Sequence, residues 1–387
     1  MGASSNNFDF IVLGVGGMGS ATLYHLATRG HRVLGLERFN IPHTMGSSHG
    51  ITRIIRMAYF EHPGYVPLLR RSYALWRELQ QDVGEQLLYI TGSIDAGPPD
   101  SPTFQGSKSS CELHNLEHQV LTSTELSERF PAYQLPDDFM AVYQPEGGFV
   151  LPERSIVSHV ALAQQHGAEV HGCEQVISWE PTANGVRVKT DHGEYSAKRL
   201  VITAGAWASK MANCLNQIAV PERQVLIWMQ PKQPELFSPQ RFPVFNMASE
   251  QGQFYGLPIH GVPGFKFGRW HHFNENVDPD TIDRNPNARD EVLLRAFADR
   301  YFPQGAGPTL SMAVCMFTNT ADEHFILDFH PDCEQVIIAA GFSGHGFKFC
   351  SVVGEIMADL AEAGTTRFDI EMFKLSRLTN AIEGAPV

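Results

Sequence analysis

Two rhythms of apolar and polar positions alternate along the chain. Phe8-Asp9-Phe10-Ile11-Val12-Leu13 is a short apolar run with β-branched members, the mark of a buried strand. Leu23, Leu26 and Ala27 then recur at helical spacing, Gly30 closes that helix, and residues 31–36 (HRVLGL) predict a second strand. Residues 65–81 predict a helix with Leu68, Leu69, Tyr73, Leu75 and Trp76 on its apolar face. Over residues 91–149 the texture changes to short strands punctuated by Gly92, Gly97, Pro98, Pro99 and Pro102. A helix at 155–165 and strands at 168–170, 186–190 and 195–203 resume the first texture. Residues 221–310 are β-rich again, with strands at 225–229, 253–258 and 264–268. The alternation predicts an α/β protein, α+β overall, with two interleaved domains.

Between the first strand and its helix stands Gly14-Val15-Gly16-Gly17-Met18-Gly19, a GxGxxG, and Glu37 closes the second strand eighteen residues past Gly19. Gly14 permits the tight turn, Gly16 lets a pyrophosphate approach the backbone, and Gly19 lets helix and strand pack closely. The helix N-terminus offers free N–H groups to the phosphates. Strand, helix, second strand and terminal acid in this order predict a Rossmann βαβ unit that binds a dinucleotide. FAD and NAD both use such a unit. A second candidate for close ligand approach is Ala204-Gly205-Ala206-Trp207, which serves equally as a plain strand–helix turn.

Composition narrows the partners. The 387 residues are 43% hydrophobic, enough for a large core in one or two domains. A net charge of −13 without a basic run argues against nucleic acid. No stretch approaches the roughly 20 apolar residues of a membrane span. Six scattered cysteines without CxxC spacing suggest neither zinc nor a disulfide framework. The first ten residues carry no basic leader and Gly384-Ala385-Pro386-Val387 is not a peroxisomal signal, so a cytoplasmic location is expected.

Three further segments carry candidate chemistry. Residues 42–56 form a small polar loop (Ser47, His49, Gly50) that runs into Thr52-Arg53-Ile54-Ile55-Arg56. On a helix the two arginines would share a face, and a partly buried arginine pairs with a ligand carboxylate or with an internal Asp or Glu. Lys266 alternates with Phe265 and Phe267, which suits a solvated outer sheet face as well as a site. His271 and His272 lack a third ligand for a metal, and either one lines a polar pocket or stands at the surface.

The chain resembles monomeric sarcosine oxidase and its relatives, the N-methyltryptophan and pipecolate oxidases, over nearly its whole length. The marks are Thr52-Arg53-Ile54-Ile55-Arg56, Ala313-Val314-Cys315-Met316 with Asp322-Glu323-His324-Phe325, and residues 339–348 (AAGFSGHGFK). The resemblance implies a glutathione-reductase-type FAD-binding domain, discontinuous over 1–85, 150–220 and 320–387, and a β-rich substrate domain over 86–149 and 221–319. It implies FAD attached through a Cys315 thioether and held by Gly14, Gly16, Gly17, Met18, Gly19, Glu37, Arg38, Ser47, His49, Gly50, Arg53, Gly205, Trp207, Gly344, His345, Gly346 and Lys348. It also implies that Arg56 and Lys348 bind the substrate carboxylate, with Tyr255 in the pocket, and that Lys266, Arg53 and His271 are catalytic. The implied reaction is oxidation of sarcosine, another N-methyl amino acid or a cyclic imino acid, by a monomer that reduces O2 to hydrogen peroxide or by a dehydrogenase with another acceptor. Two positions depart from the family pattern: Phe317 stands for its active-site tyrosine, and Trp270 stands where its histidine would fall, displacing that histidine to His271.

Overall fold

The computed structural model describes residues 6–383, with side chains to residue 379; the tail expectation and residues 1–5 of the leader expectation lie outside this range. Strand Asn7–Leu13 pairs in parallel with Glu194–Ile202 on one side and Val33–Leu36 on the other. Glu169–His171 extends this parallel sheet beyond Val33–Leu36, and Cys333–Ala340 pairs with the far half of Glu194–Ile202. Strands inside a parallel sheet are covered on both faces and therefore read as unbroken apolar runs; Ile11, Val12, Val201 and Ile337 are wholly buried. Helices Gly17–Thr28, Pro152–Gln165 and Cys350–Ala363 cover one side of it. Gly354 brings two of them together, since a Cβ there would stand 2.5 Å from that of Ala21.

A second sheet of eight strands runs in the order Thr309–Asn319, Val220–Met229, Phe265–Arg269, Gly252–Leu257, Val244–Ser249, Ser93–Gly97, Met140–Gln144, Gln119–Thr122. It is antiparallel except where Val244–Ser249 meets Ser93–Gly97. One face carries an aromatic core that includes Phe242, Phe245, Phe265 and Phe302. Helix Ala288–Tyr301 lies on that face, its Phe297 ring stacked 3.8 Å from Phe254. Helix Pro102–Leu113 covers part of the other face.

A three-stranded sheet of Arg53–Ile55, Gly148–Val150 and Leu88–Ile90 joins the layers. The arginine segment is thus a strand, not a helix: β-branched Ile54 and Ile55 and the ladder to Gly148–Val150 outweigh the i, i+3 spacing. The helix expected at 65–81 is Val66–Val83, ended by Gly84 in the left-handed region at φ 65°. Among the described residues no helix is long and apolar enough to cross a membrane.

Candidate active site

A cleft of about 1440 Å³, mouth included, opens at the carboxyl ends of Asn7–Leu13 and Val33–Leu36. Open α/β sheets bind ligands there. Gly14, Gly16, Gly17, Met18, Glu37, Arg38, Ser47, Arg53, Gly205, Trp207, Gly344 and Gly346 line it. Gly14 sits at φ 92°, and a Cβ on it would stand 2.7 Å from the Thr203 carbonyl oxygen. A Cβ on Gly19 would fall 1.8 Å from the Gly14 oxygen, so this glycine is demanded by helix–strand packing. Gly16 differs: its Cβ would meet nothing nearer than Ser48 Oγ at 3.8 Å, which leaves that side of the backbone open to a ligand. Glu37 accepts the backbone N–H of Val15 at 2.9 Å and of Phe39 at 3.0 Å, so its carboxylate fixes the glycine loop. Asp280 ties the opposite rim, with Arg38 at 2.6 Å and the Trp207 indole N–H at 2.8 Å.

Around the other end of the cleft two cations flank Gly50. A Cβ there would lie 3.2 Å from Arg53 Nη1 and 3.7 Å from Lys266 Nζ. Arg53 donates to the carbonyls of Thr52 and Ser47. Lys266 is buried rather than solvated, and its ammonium meets the carbonyls of Gly50 and Thr52 at 2.7 Å each and Thr52 Oγ1 at 3.1 Å. Burial draws its pKa down, and the Arg53 charge adds to the effect. His49 is buried, with Nε2 unpartnered; burial and then the Arg53 charge push it down to about 3, so the imidazole is neutral. Cys315 lies on Thr309–Asn319 beside Leu226, Trp228 and Tyr255, next to rather than within the cleft wall formed by Met316, Phe317 and Thr318. Burial raises its thiol, against the pull of Arg53 and Lys266.

Arg56 emerges just past its strand, fully buried. Glu61 holds its Nη2 with both oxygens at 2.7 Å, and Asp95 Oδ1 lies 3.8 Å from its Nε. The Tyr59 ring is near two cations, 4.4 Å from the Arg56 guanidinium and 5.2 Å from Lys348 Nζ. Burial, with Arg56 near, lowers Lys348 to about 7. The Tyr59 hydroxyl meets His345 Nδ1 at 2.6 Å and His345 Nε2 meets the Glu323 carbonyl at 2.9 Å. A carbonyl only accepts, so Nε2 carries the hydrogen and Tyr59 donates to Nδ1. Burial, which holds His345 down at about 4, agrees with that neutral tautomer.

Trp270 packs on Phe317 and stacks on His345. His271 is drawn away from them, its Nδ1 at 2.8 Å from Glu222 and its Nε2 at 2.7 Å from Glu323. Those bonds, Glu222 first, push it up to about 9. His272 is buried against Asp290 at 3.0 Å, which also pairs with Arg223. The inserted residue therefore puts an aromatic ring among the pocket groups and spends both histidines on carboxylates. Tyr255 is partly buried beside Cys315, and removal of its hydroxyl from water raises its phenol.

A family model described as FAD dependent oxidoreductase matches residues 9–360. The chain belongs to this family. It is 42% identical to the monomeric sarcosine oxidase of Streptomyces avermitilis over 97% of this chain and 99% of that one. It is 33% identical to the N-methyl-L-tryptophan oxidase of Yersinia pestis over 96% of this chain and 99% of that one. L-Proline dehydrogenase from P. horikoshii shares the fold at TM-score 0.84 and 22% identity, over 97% and 99% of the two chains. These likenesses bear out the resemblance to the sarcosine and N-methyltryptophan oxidases and decide FAD over NAD.

This FAD-dependent oxidoreductase carries residues that fit its cofactor. The open side of Gly16, the unpartnered His49 Nε2 and the unpartnered, buried Thr318 Oγ1 on the cleft wall are polar features that a bound dinucleotide completes. Sequence reasoning missed Glu61 and Asp95, the anionic partners of Arg56. Glu61 follows the arginine by five residues and carried a signal as a nearby acid. Asp95 carried none, since an acid alternating with Ile94 and Ala96 reads as a solvent-facing strand position.

Proposed function

We propose that this protein oxidises a secondary amino acid, sarcosine or another N-methyl amino acid, to an imine that water hydrolyses to the amino acid and formaldehyde, with O2 reduced to hydrogen peroxide. The observation that carries the reading is the pair of buried cations, Arg56 and Lys348, both over the ring of Tyr59. Lys348 follows directly on the Gly344–Phe347 segment, three of whose residues line the FAD cleft. The names of the most similar relatives point to the same substrate class. Bound FAD supplies the acceptor for two electrons and a proton from the C–H bond next to the amine.

The chain's own residues do the rest. Arg56 and Lys348 clamp the substrate carboxylate, which fixes where the amine and its C–H bond lie. For this Arg56 exchanges part of its hold on Glu61 for the ligand. Neutral His345 orients Tyr59 beside the two cations. Lys266, held among three oxygens, presents fixed positive charge where oxygen gains electrons. Cys315 forms the thioether that keeps FAD in place, and the protein works as a monomer in the cytoplasm. Trp270 and Phe317 give the pocket an aromatic wall, which favours, as a second reading, a larger or cyclic amino acid such as pipecolate or proline over sarcosine.

Acid precipitation tests the tether: yellow colour stays with the pellet of the natural protein and passes to the supernatant for Cys315→Ser. A panel of sarcosine, N-methyltryptophan, pipecolate and proline, scored for peroxide and for anaerobic bleaching, tests the reaction. Bleaching by none of them overturns the substrate class, and bleaching without peroxide moves the assignment to a dehydrogenase.

A further inference from the structure

The strand Ser93–Gly97 has two unlike faces, both buried. Ile94 and Ala96 enter the aromatic core. Ser93 and Asp95 point the other way, where the polar face of an antiparallel sheet ordinarily meets water. Here both are wholly buried, under helix Pro102–Leu113, whose Ser107, Ser110 and Cys111 are buried as well. Gln144 stands opposite Ser93 and Asn246 opposite Asp95 on the neighbouring strands. Among the described residues, Ser93 Oγ, Ser110 Oγ and both amide atoms of Gln144 have no protein partner. Asp95 Oδ1 takes the Asn246 amide at 2.9 Å and stands 3.8 Å from Arg56 Nε, while Glu61 holds Nη2 of the same guanidinium.

We propose that Asp95 is a positioning residue for the substrate carboxylate: it acts through Arg56 and takes up a proton from solvent when that carboxylate enters, so that binding is proton-linked. This rests on the reading that Arg56 and Lys348 hold the carboxylate. Two cations, Arg56 and Lys348, share a nearly closed site with two anions, Asp95 and Glu61, whose side chain is 8% exposed. A third anion unbalances it, and excess charge in such surroundings is relieved by protonating a carboxylate. Glu61 is the poorer acceptor: burial opposes its charge, but Arg56, His345 and Lys348 together outweigh burial and hold its carboxyl below the usual range. Asp95, with one longer contact to Arg56, is pushed up to about 6 by burial. Ser107 Oγ and Asp95 Oδ2 are both buried without a hydrogen-bond partner, and a hydroxyl can either donate or accept. The other titratable groups facing Asp95 are Tyr59, Cys111 and Tyr133, all raised by burial and protonated throughout. Lys348 gains a proton in the same sense, so a variant must separate the two.

The test is calorimetric titration of the FAD-loaded protein with methoxyacetate, the ether isostere of sarcosine, in buffers of different ionisation enthalpy from pH 6 to 8.5. The natural protein takes up a proton on binding, and its Kd rises with pH. Asp95→Asn, isosteric and uncharged, binds several-fold tighter at pH 8 and loses more than half of the proton uptake. Zero uptake by the natural protein, a measurement that needs no variant, overturns the proposal, as does unchanged uptake in Asp95→Asn. Arg56→Met distinguishes the two readings. If it binds methoxyacetate as well as the natural protein, the carboxylate assignment falls and this proposal with it. If it loses binding while Asp95→Asn keeps its full uptake, only the role of Asp95 falls.

Discussion

The glycine cradle and the charge cluster around Arg56 solve opposite problems. The cradle is short in sequence, and its shape follows from backbone sterics: Gly14 and Gly19 stand where a Cβ would strike the Thr203 and Gly14 carbonyl oxygens. The cluster brings the Arg56–Glu61 segment together with the distant Asp95 and Lys348, and its shape follows from charge balance. A steric device tolerates no substitution at its contact points and is indifferent to pH. An electrostatic device tolerates isosteric neutral substitutions and answers to pH. That difference predicts how each breaks.

The largest effect belongs to Gly19→Ala. An overlap at 1.8 Å with a backbone oxygen cannot be relieved by a rotamer, so the loss exceeds about 4 kcal/mol, read as a collapse of soluble, flavin-loaded protein. Gly16→Ala sharpens the contrast within the same loop. With 3.8 Å of room it changes the urea stability of the apoprotein by less than about 0.5 kcal/mol. It nonetheless weakens FAD uptake about tenfold, a change of ~1.4 kcal/mol. Equal losses for both glycines would break the distinction between packing and ligand approach.

Next comes Arg56→Met, which strands Glu61 and Asp95 without their cation at a cost of about 3–5 kcal/mol in chemical denaturation. Adding Glu61→Gln to it recovers stability but leaves substrate binding lost, which a purely structural ion pair would not require. Lys266→Met acts on rate instead. Oxygen-dependent turnover falls by about 10²–10³, while anaerobic bleaching by substrate keeps its rate. Equal slowing of both half-reactions would place Lys266 on the substrate side.

The same contrast explains what could be read from the sequence. The βαβ unit was legible because glycine spacing, strand and helix are local, and the run Phe8–Leu13 needs no distant partner to be recognised. FAD was legible because three separated motifs match one family. The burial of Lys266 was not: Phe265-Lys266-Phe267 alternates like any surface strand, and its oxygens come from Gly50 and Thr52, more than 200 residues away. Asp95 was invisible for the same reason, its burial depending on a helix that covers the polar face of its sheet. For the arginine segment the spacing offered a shared face only on condition of a helix, and the ladder formed with Gly148–Val150 makes the segment a strand instead. The one-residue insertion was visible, but where its two histidines go depended on Glu222, Glu323 and Asp290, none adjacent in sequence.

The smallest effect concerns that insertion. His271 sits at φ 51°, a strained position for a histidine, and is kept there by Glu222 and Glu323. Its folded pKa of about 9 lies above the ordinary histidine value of 6.5. The stabilisation is therefore fully present below pH 6.5, where both folded and unfolded chains carry the proton, and is lost as pH rises through about 9. Glu323 is 45% exposed, so solvent screens the pair and the contribution is about 1 kcal/mol. Thermal unfolding of the natural protein loses that amount between pH 6.5 and 9.5, and His271→Gln removes the step. Trp270, next in the chain, stacks on His345, so the same variant loosens the pocket wall and raises KM more than it lowers kcat. An unchanged KM would mean that Trp270 is held by Phe317 and His345 alone, and the histidine bridge would then belong with the steric cradle as a fixture of the fold rather than with the charges that answer to pH.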